Sequence, residues 1–152
     1  ADVPVFCGVG GGTTMGKRVV NLALDAEFKG AMGVVVNNPI SNEILEAMRD
    51  TIDIPIIVTV ISEYEDVKAR IDSGASILNV SAAKNTPALV KKIRKEFPEF
   101  PIIATGGPTD ESIAETIEAG ANAITYTPPT TATIMNMLMN KYRDRYKDEY
   151  NE

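Results

Sequence analysis

Six short apolar runs, rich in β-branched residues, recur along the chain: Val3–Gly8, Gly33–Asn37, Ile54–Val60, Ser76–Val80, Pro101–Thr105 and Ala123–Thr127. Most are nearly continuous, as in Ile56-Ile57-Val58, with no polar alternation. A strand with one wet face alternates, whereas a strand covered on both faces does not. Between the runs lie amphipathic stretches of helical period, such as Lys17–Phe28 and Glu63–Asp72. This alternation predicts an α/β protein with a parallel sheet.

The helix ends carry their own signals. Ser62 and Glu65 have the spacing of a capping box. Thr86-Pro87 reads as a cap followed by proline at the first helical position. Ser41 is placed to cap a second helix, and Thr109 or Asp110 a fifth. Gly30, Gly74 and Gly120 each stand where a helix should end.

These glycines expose an internal repeat. Each is followed by alanine and then a strand, at spacings of 44 and 46 residues. The other three strands begin with Pro4, Pro55 and Pro101, at spacings of 51 and 46 residues. The chain therefore reads as six βα units in three two-unit copies. A βαβα unit is a quarter of an eight-stranded barrel. The expected fold is TIM-barrel-like, with three of four quarters present. Three arrangements fit: a barrel lacking one N-terminal unit in this sequence, an open doubly wound sheet, or a six-stranded or oligomer-completed barrel. No linker-like stretch divides the chain, so residues 1–152 are read as one domain, with 131–152 a long C-terminal helix. On that helix Met135, Leu138, Met139 and Tyr142 form a stripe, continued by Tyr146 and Tyr150. Its first part is expected to pack as core. The tyrosine-rich end reads as an oligomer contact or a surface tail.

Composition narrows the chemistry. With 44% hydrophobic and 24% charged residues, the chain is neither disordered nor low in complexity. A single cysteine, Cys7, rules out a disulfide framework, and a buried strand cysteine is its expected role. The absence of histidine excludes a Ser-His-Asp triad, a Cys-His dyad and histidine-built metal sites. No metal and no cofactor are expected. The net charge of −6 argues against nonspecific nucleic-acid binding. Lys91–Lys95 reads as a solvated helix face. No apolar run of about 18 residues predicts a membrane span, and Ala1-Asp2-Val3-Pro4 lacks a basic leader region. A cytoplasmic location is the default expectation.

In both barrels and doubly wound sheets, ligands bind at the carboxyl ends of the strands. The loops there are rich in Gly, Thr, Asn and Ser, which suits a small anionic metabolite. Gly11 to Lys17 fits G-x-x-x-x-G-K, but Arg18 replaces the hydroxyl residue that holds magnesium in a nucleotide site. Three readings stand: a nucleotide loop, an anion cradle using Gly11, Gly12 and Lys17, or a glycine-rich turn with a surface lysine. The better anion candidate is Thr105-Gly106-Gly107-Pro108-Thr109, a strand running through glycines into a helix N-terminus. Its alternative is a tight turn without a ligand.

Three segments carry a family resemblance: Thr86–Pro98, Ile102–Gly107 and Ile117–Ile124. Together they resemble phosphate-binding TIM barrels, and most closely the keto-hydroxyglutarate/keto-deoxy-phosphogluconate aldolase family. The resemblance covers roughly residues 54–129. It implies a barrel enzyme acting on a phosphorylated or carboxylated keto compound. There are departures: Asn79 stands where the family has a glutamate, and the strand that would carry the Schiff-base lysine is not matched. The same segments also resemble the last two strands of sugar-phosphate isomerases and synthases.

Lys84 and Glu63 are the strand-end residues with proton-transfer chemistry. Lys84 is a candidate nucleophile or phosphate partner, or else a solvated lysine. Glu63 is a candidate base, or else an early-turn helix residue. Tyr126 either lines the site or covers the core. Gly106, Gly107, Thr109, Gly11, Gly12, Lys17, Asn79 and Thr127 complete the expected binding set. The expected function is a lyase or isomerase acting on a small phosphorylated or carboxylated keto or sugar compound, in a homo-oligomer. The alternatives are a non-catalytic anion-binding regulator and a nucleotide-binding module built on residues 8–17.

Overall fold

The structure, a computed structural model, describes residues 2–150, with side chains as far as residue 147. Six parallel strands form one sheet: β1 (Phe6–Gly10), β2 (Gly33–Val36), β3 (Ile56–Val60), β4 (Ile77–Val80), β5 (Ile102–Thr105) and β6 (Ala123–Thr125). They lie in chain order, each beside its sequence neighbour. A doubly wound sheet changes direction at a switch point. This one has none, so that alternative falls, and the sheet is a curled, incomplete (β/α)-barrel.

The helices are α1 (Lys17–Phe28), α2 (Asn42–Thr51), α3 (Val67–Asp72), α4 (Thr86–Glu96), α5 (Asp110–Glu118) and α6 (Thr131–Tyr150). A 3-10 turn, Ala83–Asn85, precedes α4. Alternate strand residues bury beneath the helices: Val34 and Val36, Val58 and Val60, Leu78 and Val80, Ile102 and Ala104. Val19 and Ala23 from α1, Leu45 and Met48 from α2, and Val90 and Ile93 from α4 close over them. Each such aliphatic side chain contributes roughly 1.5–3 kcal/mol. The residues between them, such as Ile77 and Asn79, point to the opposite, concave face.

The repeat persists at the level of single contacts. A Cβ on Gly74 would lie 2.8 Å from Arg49 Cβ, and one on Gly120 would lie 2.8 Å from Arg94 Cγ. In both units an arginine near the end of a helix lies across the glycine that ends the next one. Arg49 donates to the Asp72 carbonyl. Arg94 donates to the carbonyls of Gly120, Pro98 and Phe100 and to Asn122 Oδ1. Asn122 Oδ1 in turn accepts from the Ile102 amide at the start of β5.

Several boundaries differ from expectation. β1 runs on to Gly10, with a register shift between Gly8 and Gly10. Val9 is the buried residue of that run, while Val3 and Val5 are exposed. β6 ends at Thr125. The capping box at Ser62 and Glu65 does not form. Glu65 accepts from the Ile61 amide and from Asn38, and α3 starts later, capped by Asp66. Thr86 does not cap α4: its hydroxyl accepts from the Ala82 amide, and α4 continues from the 3-10 turn. Ser41 and Thr109 cap α2 and α5 as expected.

The largest departure is α6. Its apolar stripe was expected in the core, yet Met135, Leu138, Met139 and Tyr142 are all exposed. The stripe has the right period, but α6 does not pack on β6, whose Ala123 and Thr125 are themselves left exposed. The side chain of Tyr150 and residues 151–152 of the expected helix lie outside the described residues. No helix among the described residues is long and apolar enough to cross a membrane.

Candidate functional site

The carboxyl ends of the central strands carry a polar row. Val36 pairs in register with Val58, and Thr59 with Asn79, so Asn37, Thr59 and Asn79 stand side by side on β2, β3 and β4. Thr59 Oγ1 donates to Asn37 Oδ1 at 2.9 Å, and Asn79 Nδ2 donates to Thr59 Oγ1 at 3.2 Å. Thr59 is 5% exposed.

A second network fixes the loops above that row. Arg70, on α3, donates to the Ile40 carbonyl at 2.6 Å, to Asn42 Oδ1 at 2.9 Å and to Asn38 Oδ1 at 3.1 Å. Asn38 Nδ2 then donates to the Thr59 carbonyl at 2.9 Å and to Glu65 Oε2 at 2.8 Å. Charge-assisted bonds of this kind are about twice as strong as neutral ones. They tie the β2–α2 and β3–α3 loops together around Thr59.

A cavity of about 700 Å³ opens at the ends of β4 and β5, lined by Ser81, Lys84, Thr105, Gly106, Gly107 and Ser112 among others. Lys84 and the Gly106-Gly107 turn therefore meet, as the sequence implied. Their parts in it differ. The Gly106 amide donates to the Thr125 carbonyl at 2.9 Å and belongs to the sheet. A Cβ on Gly107 would lie 2.2 Å from Ser112 Oγ. Thr109 Oγ1 accepts from the Ser112 amide, and Ser112 Oγ accepts from the Thr109 amide, a reciprocal cap on α5. The Gly107 amide and the first turn of α5 remain to meet an anion, beside the carboxylates of Asp110 and Glu111.

The other expected residues lie elsewhere. Gly11 and Gly12 belong to the loop after β1, and Lys17 is the first residue of α1. The Gly11 amide donates to the Thr14 carbonyl, and that of Gly12 to the Pro39 carbonyl. Both donors are thus occupied by the protein itself, which opposes the nucleotide-loop reading. Glu63 faces a separate cavity of about 380 Å³ with Tyr64 and Lys92. Its carboxylate lies 3.6 Å from Lys92 Nζ on the surface. Thr127 and Tyr126 are exposed beyond β6. Cys7 is half-buried and free. The partnership of Asn37 and Thr59 with Asn79 was not anticipated. Its signal is a polar residue within or directly after an otherwise apolar strand.

No protein-family model matches this chain, and no curated protein does. Solved structures do. A phosphonomutase from Burkholderia cenocepacia J2315 aligns with 95% of this chain and 70% of its own, with a TM-score of 0.68 at 18% identity. A phosphoenolpyruvate phosphomutase from Streptomyces platensis subsp. rosaceus aligns over 97% and 63%, with a TM-score of 0.65 at 18% identity. A phosphonopyruvate hydrolase, solved with oxalate and Mg²⁺, aligns over 87% and 62%, with a TM-score of 0.61 at 17% identity. At these identities the likeness carries the fold: this chain has a TIM-barrel-type α/β architecture. It spans between 62% and 70% of the length of the three structures.

Proposed function

We propose that this chain belongs to a TIM-barrel lyase or isomerase acting on a small phosphorylated or carboxylated compound of the keto or sugar-acid type. The observation that carries this reading is the cavity at the ends of β4 and β5, whose lining includes Lys84 and Gly107, with Glu115 as its one acidic residue. Strand ends are where barrel enzymes bind substrate. The fold likeness to phosphonomutases and the sequence resemblance to keto-acid aldolases both favour such a ligand. In this reading Lys84 and the first turn of α5 hold the anion, and Ser81, Thr105 and Ser112 supply neutral hydrogen bonds.

The Mg²⁺ of the hydrolase neighbour finds no equivalent built from these residues. The strand ends offer Asn37, Thr59, Asn79 and Thr105, which are amides and hydroxyls rather than carboxylates. Among the described residues no cluster of three His, Cys, Asp or Glu side chains could hold a metal ion. No step is assigned to a metal here.

The neutral strand ends also favour a second reading, an anion-binding regulator without catalysis. One titration addresses both. Phosphoenolpyruvate, pyruvate and inorganic phosphate are added separately to ¹⁵N-labelled protein. Amide shifts are expected at Gly107, Ser112 and Lys84, and are expected to vanish in Lys84→Ala. Shifts centred on residues 11–17 instead, or none at millimolar ligand, would overturn the cavity assignment. Binding without turnover of phosphonopyruvate or phosphoenolpyruvate would favour the regulator.

A further inference from the structure

The polar row ends in an unpaired atom. Thr59 gives its one hydroxyl proton to Asn37 and accepts from Asn79 Nδ2. Asn79 Oδ1 is buried and has no hydrogen-bond partner among the described residues. Turning the Asn79 amide over does not help, because it would set Oδ1 against a hydroxyl whose proton is already committed. Reversing all three groups would leave Asn79 Nδ2 unpaired at the same place. The next residue in register, on β5, is Ile103, which has nothing to donate.

A buried acceptor without a partner destabilises a fold, and packing alone gives no reason for an amide here. Leucine has the same branched skeleton, with bulkier methyl groups, and matches in character a concave face that already carries Val35, Ile57, Ile77 and Ile103. The position makes sense if something outside the row supplies the missing proton. Asn79 is half-buried as a residue, its Oδ1 is covered, and it lies just behind the residues that line the cavity rather than among them. Ser81, two residues on and of the same parity, lines the cavity that holds Lys84 and Gly107. Two residues along a strand is about 7 Å. A rotation about the Asn79 side chain, whose terminal torsion is soft, would break only the bond to Thr59 and turn Oδ1 toward that space.

We propose that Asn79 is a specificity-determining residue whose carbonyl accepts a hydroxyl of the ligand. The cavity would then take a polyol or sugar-acid phosphate in preference to an alkyl phosphate of the same length. The proposal rests on the assignment of the anion to the cavity above. In the ligand-free protein Thr59 and Asn37 hold the Asn79 amide within the row, and the ligand competes with Thr59 for it.

Glycerol 3-phosphate and propyl phosphate share the anion and the carbon chain and differ in hydroxyls. By calorimetric titration, glycerol 3-phosphate is expected to bind about tenfold more tightly, the effect of one well-made hydrogen bond to a buried acceptor. In Asn79→Leu the two affinities should converge on that of propyl phosphate. In Thr59→Val, which removes the bond that the ligand must displace, the preference should persist or grow. Equal binding of the two phosphates to the parent protein overturns the proposal while leaving the anion site intact. So does a preference that survives Asn79→Leu. If neither phosphate binds, the cavity assignment fails and this proposal fails with it.

Discussion

Two glycine-rich turns, each following a strand end, look alike in sequence and serve different ends. The turn after β1 is glycine-rich because the chain folds back on itself. A Cβ on Gly11 would fall 1.8 Å from the Asn37 carbonyl oxygen, with φ at +87°. The amides of Gly11 and Gly12 are occupied by neighbouring carbonyls. The turn after β5 is glycine-rich because Gly106 packs on Ile124 and Gly107 on Ser112, yet it leaves the Gly107 amide at the wall of a cavity. Glycine content reports close approach. Whether the approaching group is the protein or a ligand depends on where the amides go.

Breaking the first turn should give the largest effect. Gly11→Ala forces a clash with backbone and a disfavoured φ, and should cost on the order of 3 kcal/mol or more in urea unfolding. A loss under about 1 kcal/mol would mean that the loop is not held against Asn37. On the second turn, Thr109→Ala removes one half of the reciprocal cap. About 1 kcal/mol of stability should be lost, and phosphate binding should weaken as the first turn of α5 frays. The smallest effect sharpens the contrast. Lys17→Ala should change stability by less than about 0.5 kcal/mol and leave phosphate affinity unchanged, because Lys17 stands beside amides already in use. A clear loss of phosphate affinity in that variant would move the anion site to the first turn.

The fold was legible where burial alone decides structure. Ile56-Ile57-Val58 is buried throughout, as an unbroken apolar run implies. The Gly-Ala repeats marked the helix-to-strand turns, because Gly30, Gly74 and Gly120 all take positive φ there, and Gly74 and Gly120 also meet arginine side chains of the preceding repeat. Reading failed where a side chain had a stronger remote partner than its local one. Glu65 was expected to serve a cap and instead bonds Asn38 and the Ile61 amide, delaying α3. It failed again where the partner of an amphipathic face is not supplied by the sheet, as on α6. At the strand ends, Lys84 and the Gly106-Gly107 turn, picked out through their loops, line the same cavity. Glu63 was singled out, but the carboxylate that enters the strand-end network is that of Glu65. The Asn37–Thr59–Asn79 row depends on register, which one strand's sequence does not contain.

The arginine latches bear on how such a chain is made. Arg49 closes on a carbonyl 23 residues further along, and Arg94 on groups 26 and 28 residues further along. Every strand pairs only with its predecessor and its successor. On a ribosome, each unit would therefore add to the growing edge as soon as it emerged. It would stay unfastened until the end of the next helix had followed it out. Folding would proceed vectorially, with a lag of one unit, and a pause in synthesis just before Gly120 would leave Arg94 holding only the carbonyls of its own loop, Pro98 and Phe100 among them.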